Sequence, residues 1–292
     1  MTPTVVAGRS AGVPWYVDTR VIFYRKDLAA KAGINAAPQS WDDFTKLAAA
    51  YQSSAGAKWG VRLPTGGTDS FQAFLPFALS SGAELMNADQ TKWTIDAKPM
   101  VTALTQYQSL FKSGVADPNA STAAGAAEAN FVSGDTPMMI GPPQEIGLLN
   151  KAGGAGFADK YAVARIPKVT SSTSFVGGSD LVVFKKAKNP TAARLLVKWL
   201  SQKETQVAFY KLTGNLPSVQ AAWEDSSVSS DPKLTVFRDQ LGDAKAPPSN
   251  TGWVQVSAAG DTALEQVVKG TTSPEEAAQA LQGQADSIGT GN

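Results

Sequence analysis

The feature that most constrains this chain lies close to its beginning. The stretch GVPWYVDTRVIFYRKDL, Gly12–Leu28, is dense in β-branched and aromatic residues, which suit a pleated, buried surface. It reads as one long strand over 13–24, of the kind found inside an α/β sheet. Alternation along that strand places Tyr16, Asp18 and Arg20 on one side and Trp15, Val17 and Thr19 on the other. An acid and a base in a buried strand need partners. They are read either as a salt bridge to each other or as groups awaiting a polar ligand.

The rest of the chain follows the alternation expected around such a strand. A short helix over 26–32 is closed by Gly33, and Ser40-Trp41-Asp42-Asp43 opens a second helix with a capping-box-like start. Strands are expected at 59–63, 93–95, 136–140, 161–166 and 181–184, and Gly141-Pro142-Pro143 breaks the third of these. Between them fall an apolar helix over 71–80, an amphipathic one marked by Val101, Leu104, Gln108 and Phe111, and helices at 123–132 and 144–149. Beyond Phe184 the pattern is helix on helix, at 190–200, 203–212, 219–223, 233–241, 253–268 and 274–288, with a linker over 246–250. The fold class is α/β with a helical C-terminal third.

Composition removes several kinds of chemistry. A chain of 292 residues with no cysteine and no histidine has no disulfide, no thiolate metal site, no cysteine nucleophile and no imidazole base. A net charge of +1 gives no electrostatic reason for a nucleic-acid partner, and no apolar run reaches the ~18 residues of a membrane span. MTPTVVAGRSAG lacks the basic and apolar regions of a secretion signal. KAGGAGFAD, at 151–159, follows a helix rather than a strand and reads as a turn, not a phosphate loop. Asn119-Ala120-Ser121 reads as a chance sequon, and the acid pairs Asp42/Asp43 and Glu275/Glu276 sit at helix starts, where the helix dipole favours them. No catalytic residue, cofactor or metal site is indicated, and the chain is not expected to be an enzyme.

The order of its motifs is more informative than any one of them. VPWYVDTRVIFYRKDL, PQSWDDFTKLAAAY, FLPFALSSGAELMN, ANFVSGDTPMMIGPPQEIGLL, FVGGSDLVVFKKAKNPTAARLLVKWL, FYKLTGNLPS and SPEEAAQAL follow one another in the chain. Over residues 5–288 this resembles the family 1 extracellular solute-binding proteins, the sugar-capturing subunits of ABC importers. The resemblance implies a periplasmic-binding-protein-like fold of two α/β lobes, joined by a hinge that the chain crosses several times, with a sugar held between them. It also implies permease subunits as partners and an extracellular, periplasmic or lipid-anchored location.

Mapped on the family, residues 1–16 are a remnant of the N-terminal lobe and TVVAGRSAG its last β-turn. Residues 17–176 are the first part of the C-terminal lobe, 177–243 the second part of the N-terminal lobe, and 244–292 the rest of the C-terminal lobe. The C-terminal lobe is expected to be complete and the N-terminal lobe truncated by roughly a hundred residues, about a small domain. Leu195, Leu196, Trp199 and Leu200 are then expected to form an exposed apolar patch, and ligand binding to be weakened. A glycan-acting hydrolase using cleft carboxylates, or a fragment that binds another chain through that patch, are the alternatives.

The same resemblance names candidate ligand residues. Asp18 falls on a sugar-contacting carboxylate, with Arg20 beside it, and Trp15 and Tyr16 are candidates for stacking or for the core. Gln72 replaces a stacking tyrosine. In Gly141-Pro142-Pro143-Gln144-Glu145 a proline stands where the family often presents a tryptophan, and Glu145 is either a ligand group or a helix-start acid. Gly177-Gly178-Ser179-Asp180 marks the second crossing, with Gly178, Ser179 and Asp180 as ligand candidates or as a capped bend. Trp253 lies near a family stacking tryptophan. Trp41, Trp59, Trp93, Trp199 and Trp223 sit at spacings that suit core packing.

Overall fold

A computed structural model describes residues 5–6 and 9–291, with side chains from Ala11 onward. The expected turn in TVVAGRSAG falls at residues 7 and 8, and it lies with residues 1–4 outside the described residues. The flanking pairs, β1 (Val5–Val6) and β2 (Arg9–Ser10), run antiparallel.

The long N-terminal strand is divided at Arg20. β3 (Val13–Thr19) and β4 (Val21–Tyr24) belong to two different sheets. β4 is the centre of a three-stranded antiparallel sheet between β5 (Met138–Gly141) and β6 (Ala162–Ala164). β3 lies in a four-stranded sheet, between β7 (Ser174–Leu181) and β8 (Leu216–Pro217), with β9 (Ala244–Lys245) parallel to β7 on its far side. One residue thus passes the chain from one sheet to the other.

The strand expected at 181–184 lies earlier, at Ser174–Leu181, so Gly177-Gly178-Ser179-Asp180 is extended strand rather than a bend. Pairing with β3 supplies the ladder that glycine's weak strand preference does not predict. The strands expected at 59–63 and 93–95 shrink to isolated bridges, Val61 with Ala116, Arg62 with Met139 and Trp93 with Met86.

Helix starts and stops follow local chemistry. Ser40 and Asp43 form a reciprocal capping box on α2 (Trp41–Ala55), following α1 (Lys26–Lys31). α3 (Ser70–Ser80), α4 (Lys98–Lys112), α5 (Ala126–Ser133) and α6 (Gln144–Gly153) complete the first half. α7 (Pro190–Leu200), α8 (Lys203–Thr213), α9 (Ser226–Ser229), α10 (Pro232–Gly242), α11 (Trp253–Lys269) and α12 (Pro274–Ile288) make up the second. The segment expected as a helix at 219–223 is a 3-10 turn, Gln220–Glu224.

Because β4 is buried on both faces, it separates two cores. Ile22 and Tyr24 face a large core with α2, α3, α4, α11 and α12, where Trp41 stacks on Phe77 at 3.8 Å and Tyr107 meets Phe74 edge-on. Val21 and Phe23 face the second core, shared with Phe131, Tyr161, Val17 and Val176. α10 lies in the segment 177–243 that the sequence expects to build the other lobe. Its Leu234 and Phe237 are nonetheless buried in this second core, with Phe237 6.0 Å from Phe23.

α7 differs from every long helix around it, for none of its residues is buried. Leu195 is 64% exposed, Leu196 55% and Trp199 54%, while Leu200 is half-buried. Trp199 therefore does not pack in a core, unlike Trp41 and Trp93. The apolar face of α7 forms the exposed patch expected from the sequence.

Candidate functional site

The site is built on the contact between β3 and β7. Tyr16 pairs with Ser179, Val17 with Gly178 and Asp18 with Gly177, so partners directly across the ladder share a face. Asp18 and Tyr16 occupy the face opposite Val17, whose side chain enters the second core with α10. A slip in register between Pro14 and Tyr16 re-aims the first residues of β3.

The two glycines of β7 are required by close approach. A Cβ on Gly177 would stand 2.5 Å from Oδ1 of Asp18. One on Gly178, where φ is +133°, would stand 2.2 Å from the carbonyl oxygen of Tyr16. Ser179 Oγ donates to the Tyr16 hydroxyl at 3.0 Å. Arg20 Nη1 donates to Asp18 Oδ1 at 2.8 Å, and its guanidinium lies 4.8 Å from the centre of the Phe175 ring. Asp18 is thus held by Arg20.

A cleft of about 990 Å³ opens beside this ladder. Tyr16, Gly178, Ser179 and Asp180 line it from the strands, Gln72 from the first turn of α3, and Trp253 from the start of α11. Trp223, Arg238 and the connector 246–249 complete it from the other elements. Trp253 is largely buried, its ring 6.4 Å from Phe71, so the core fixes its position. Gln72 Nε2 donates to Asp69 Oδ1 at 3.1 Å. Asp180 is exposed and makes no ion pair with the described residues.

The candidates taken from the sequence therefore divide into two groups. Tyr16, Gln72, Gly178, Ser179, Asp180 and Trp253 meet at the cleft. Asp18, Arg20 and Glu145 form a neighbouring polar group, while Trp15 stacks on Phe209 of α8 at 4.7 Å. Trp223 and Arg238 were not anticipated as lining residues. The indole of Trp223 donates to the Pro217 carbonyl at 2.9 Å, which ties its turn to β8 at the edge of the four-stranded sheet. Only the Pro-Pro linker marked that part of the cleft in the sequence.

Glu145 opens α6 directly after β5. Burial is the main cause that pushes its carboxyl up to about 7, and Glu128 adds to this, while Arg62 and Arg20 oppose it. A side chain on Gly141 would come within 2.9 Å of Glu145 Cγ, so the glycine of the Gly-Pro-Pro loop makes room for this acid. Pro143 is buried in the position where an aromatic is expected. Among the described residues no group of three or more Asp or Glu side chains is placed to hold a metal ion.

This architecture, a ladder of crossing strands between two cores with a cleft against it, defines a binding protein with the ligand-trap fold. Residues 2–207 match the family model for bacterial extracellular solute-binding proteins, and the chain belongs to that family. The sugar-binding protein MalE of Xanthomonas citri has the same fold, with a TM-score of 0.86 at 27% identity, over 98% of this chain and 72% of its own. A Deinococcus radiodurans protein named "Probable ABC transporter-binding protein" is 27% identical over 304 residues, covering 96% of this chain and 69% of its own length. The diacetylchitobiose-binding protein DasA of Streptomyces coelicolor is 25% identical over 291 residues, 96% of this chain and 66% of its own. No described helix is long and apolar enough to cross a membrane.

Proposed function

We propose that this protein captures a di- or oligosaccharide in the cleft beside β3 and β7 and delivers it to the permease subunits of an ABC importer at the outer side of the membrane. The observation that carries this reading is the convergence on one cleft of an aromatic ring, Trp253, with amide, hydroxyl and carboxylate groups, Gln72, Ser179 and Asp180. A sugar offers C–H faces for the ring and hydroxyls for the polar groups, and buried polar groups reject a ligand that leaves them unpaired. Asp18, Arg20 and Glu145 extend the polar wall, Tyr16 and Gly178 shape it, and Trp15 braces β3 on α8.

The lobes are assigned as 1–16 with 177–243, and 17–176 with 244–292. One amendment follows from packing: α10 moves with the second lobe, because Phe237 is anchored on Phe23. The exposed apolar face of α7 then belongs to the first lobe. No hydrolytic role is assigned, since the matching family and the relatives above are solute-binding proteins. A thermal-shift screen over neutral di- and oligosaccharides, with a check for released monosaccharide, tests the reading. A raised unfolding temperature without hydrolysis is expected; sugar cleavage, or no shift with any sugar, would overturn it.

A further inference from the structure

One carboxyl oxygen of Glu145, Oε2, is buried and has no hydrogen-bond partner among the described residues. The sheet beneath sets its place. Gly141 pairs with Val21, the residue after Arg20, and a Cβ on Gly141 would stand 2.9 Å from Glu145 Cγ. The acid therefore lies beside the start of β4, where the chain leaves one sheet for the other. A buried carboxyl without a donor is tolerated far better protonated than ionised, because ionisation adds a desolvation cost.

The charged groups around Glu145 do not offset that cost. Arg20 is engaged by Asp18, and Arg62, at its bridge to Met139, donates through Nη2 to the Ser121 carbonyl. Neither arginine hydrogen-bonds to Glu145, and Glu128 on α5 repels it. β5 and the turn 213–215 carry no titratable side chain. Elsewhere on α6, Tyr161 donates its hydroxyl to Asn150 Oδ1 at 3.0 Å, and burial keeps that hydroxyl neutral. Asp159 ends the turn Phe157–Asp159, which packs by Gly153 at the far end of the helix. Burial and Glu128 together outweigh the two arginines, and the Glu145 carboxyl is pushed up to about 7.

The residue before it closes a seam. Gln144 donates its side-chain amide to Asn215 Oδ1, in the turn between α8 and β8. That turn approaches so closely that a side chain on Gly214 would lie 3.2 Å from Gln144 Cα. On the lobe assignment proposed above, α6 belongs to one lobe and this turn to the other. Gln144 Oε1 is buried and unpartnered as well, so parting the seam lets water reach both neighbours at once.

We propose that Glu145 is a proton-operated latch beside the hinge: protonated, it lets the first turn of α6 close on the turn 213–215, and ionised, it drives that seam open. Linkage fixes the direction. The carboxylate is favoured in whichever state water reaches it, so loss of the proton shifts the population toward the open seam. A carboxyl held near 7 when closed, against 4.5 in water, biases the seam by at most about 300-fold across its titration. The device is independent of the sugar-binding reading, because no ligand takes part in it.

A distance measurement across the seam tests it. The chain has no cysteine, so spin labels can be attached through Lys151→Cys on α6 and Leu212→Cys on α8, both exposed, in the full chain. Pulsed electron paramagnetic resonance from pH 5 to pH 9 should show the distance lengthening as pH rises, with a midpoint near 7. Glu145→Gln, which keeps the neutral shape, should hold the short distance at pH 9. Glu128→Gln, which removes the repelling acid, should move the midpoint to lower pH. A distance that does not change with pH while Glu145 is intact would overturn the latch, as would a pH response that persists in Glu145→Gln. If that variant fails to fold, the Glu128→Gln midpoint decides: a lowered midpoint supports Glu145 as the titrating group, and an unchanged one overturns it.

Discussion

Arg20 holds the carboxylate of Asp18 at 2.8 Å, and it does so at the single residue that separates the two sheets. The pair therefore belongs to the hinge and to the polar wall beside the cleft. A ligand hydroxyl reaching Asp18 meets an acceptor already oriented by a cation, whose Oδ1 both accepts from Arg20 and lies against Gly177.

Replacing Asp18 by Asn should keep the side-chain shape and remove the charge. Sugar affinity is expected to fall about tenfold, or ~1.4 kcal/mol, the scale of a hydrogen bond to a charged group. The unfolding midpoint in urea should move little, because Arg20 retains its contact with Phe175. Calorimetry and urea denaturation on the same sample check the two halves of this expectation.

Gly177→Ala tests the close approach of β7. The added methyl would press on Oδ1 of Asp18, so strand or carboxylate must shift, at a cost of about 1–3 kcal/mol in stability. Sugar affinity should fall along with it. Thermal unfolding with and without sugar reads both.

Glu145 gives a pH dependence of definite sign. Its carboxyl takes up a proton more readily in the folded chain, near 7, than at its ordinary value of 4.5. The penalty of the buried charge is absent below the ordinary value and complete above about 7, so stability falls as pH rises through that window. Glu145→Gln should remove this slope and make the variant more stable at pH 8, by on the order of 2 kcal/mol. Denaturation at pH 5 and pH 8 for both chains measures it.

Two substitutions distinguish the core from the exposed face. Phe237→Ala empties a fully buried ring site against Phe23 and should cost about 3–5 kcal/mol. Trp199→Gln on α7 should change stability by no more than about 0.5 kcal/mol, since half of the ring is already in water. The same substitution should lower binding of an apolar dye to the patch.

What the sequence disclosed depended on how local the physics was. The capping box at Ser40/Asp43 and the glycine stop at Gly33 after α1 involve residues a few positions apart, and those helices lie where the pattern places them. The break at Arg20 was hidden because Val13–Tyr24 is uniformly strand-like. Only the partners, β7 on one side and β5 with β6 on the other, separate its two parts. β7 was displaced because glycines argue against a strand until β3 lies beside them. The cleft was legible in Trp253 and in the strand glycines. The contact of Gln144 with Asn215 gave no sign in the sequence, because 71 residues separate the two.

The central claim is that a sugar binds against Trp253 and the β3–β7 ladder. A calorimetric titration of the wild-type chain, Asp18→Asn and Trp253→Ala, with the neutral sugar that most raises the unfolding temperature, tests it most directly. The account predicts saturable one-to-one binding by the wild-type chain, weakened about tenfold in the first variant and at least as much in the second. Equal affinity in all three chains would place the ligand elsewhere and contradict the claim.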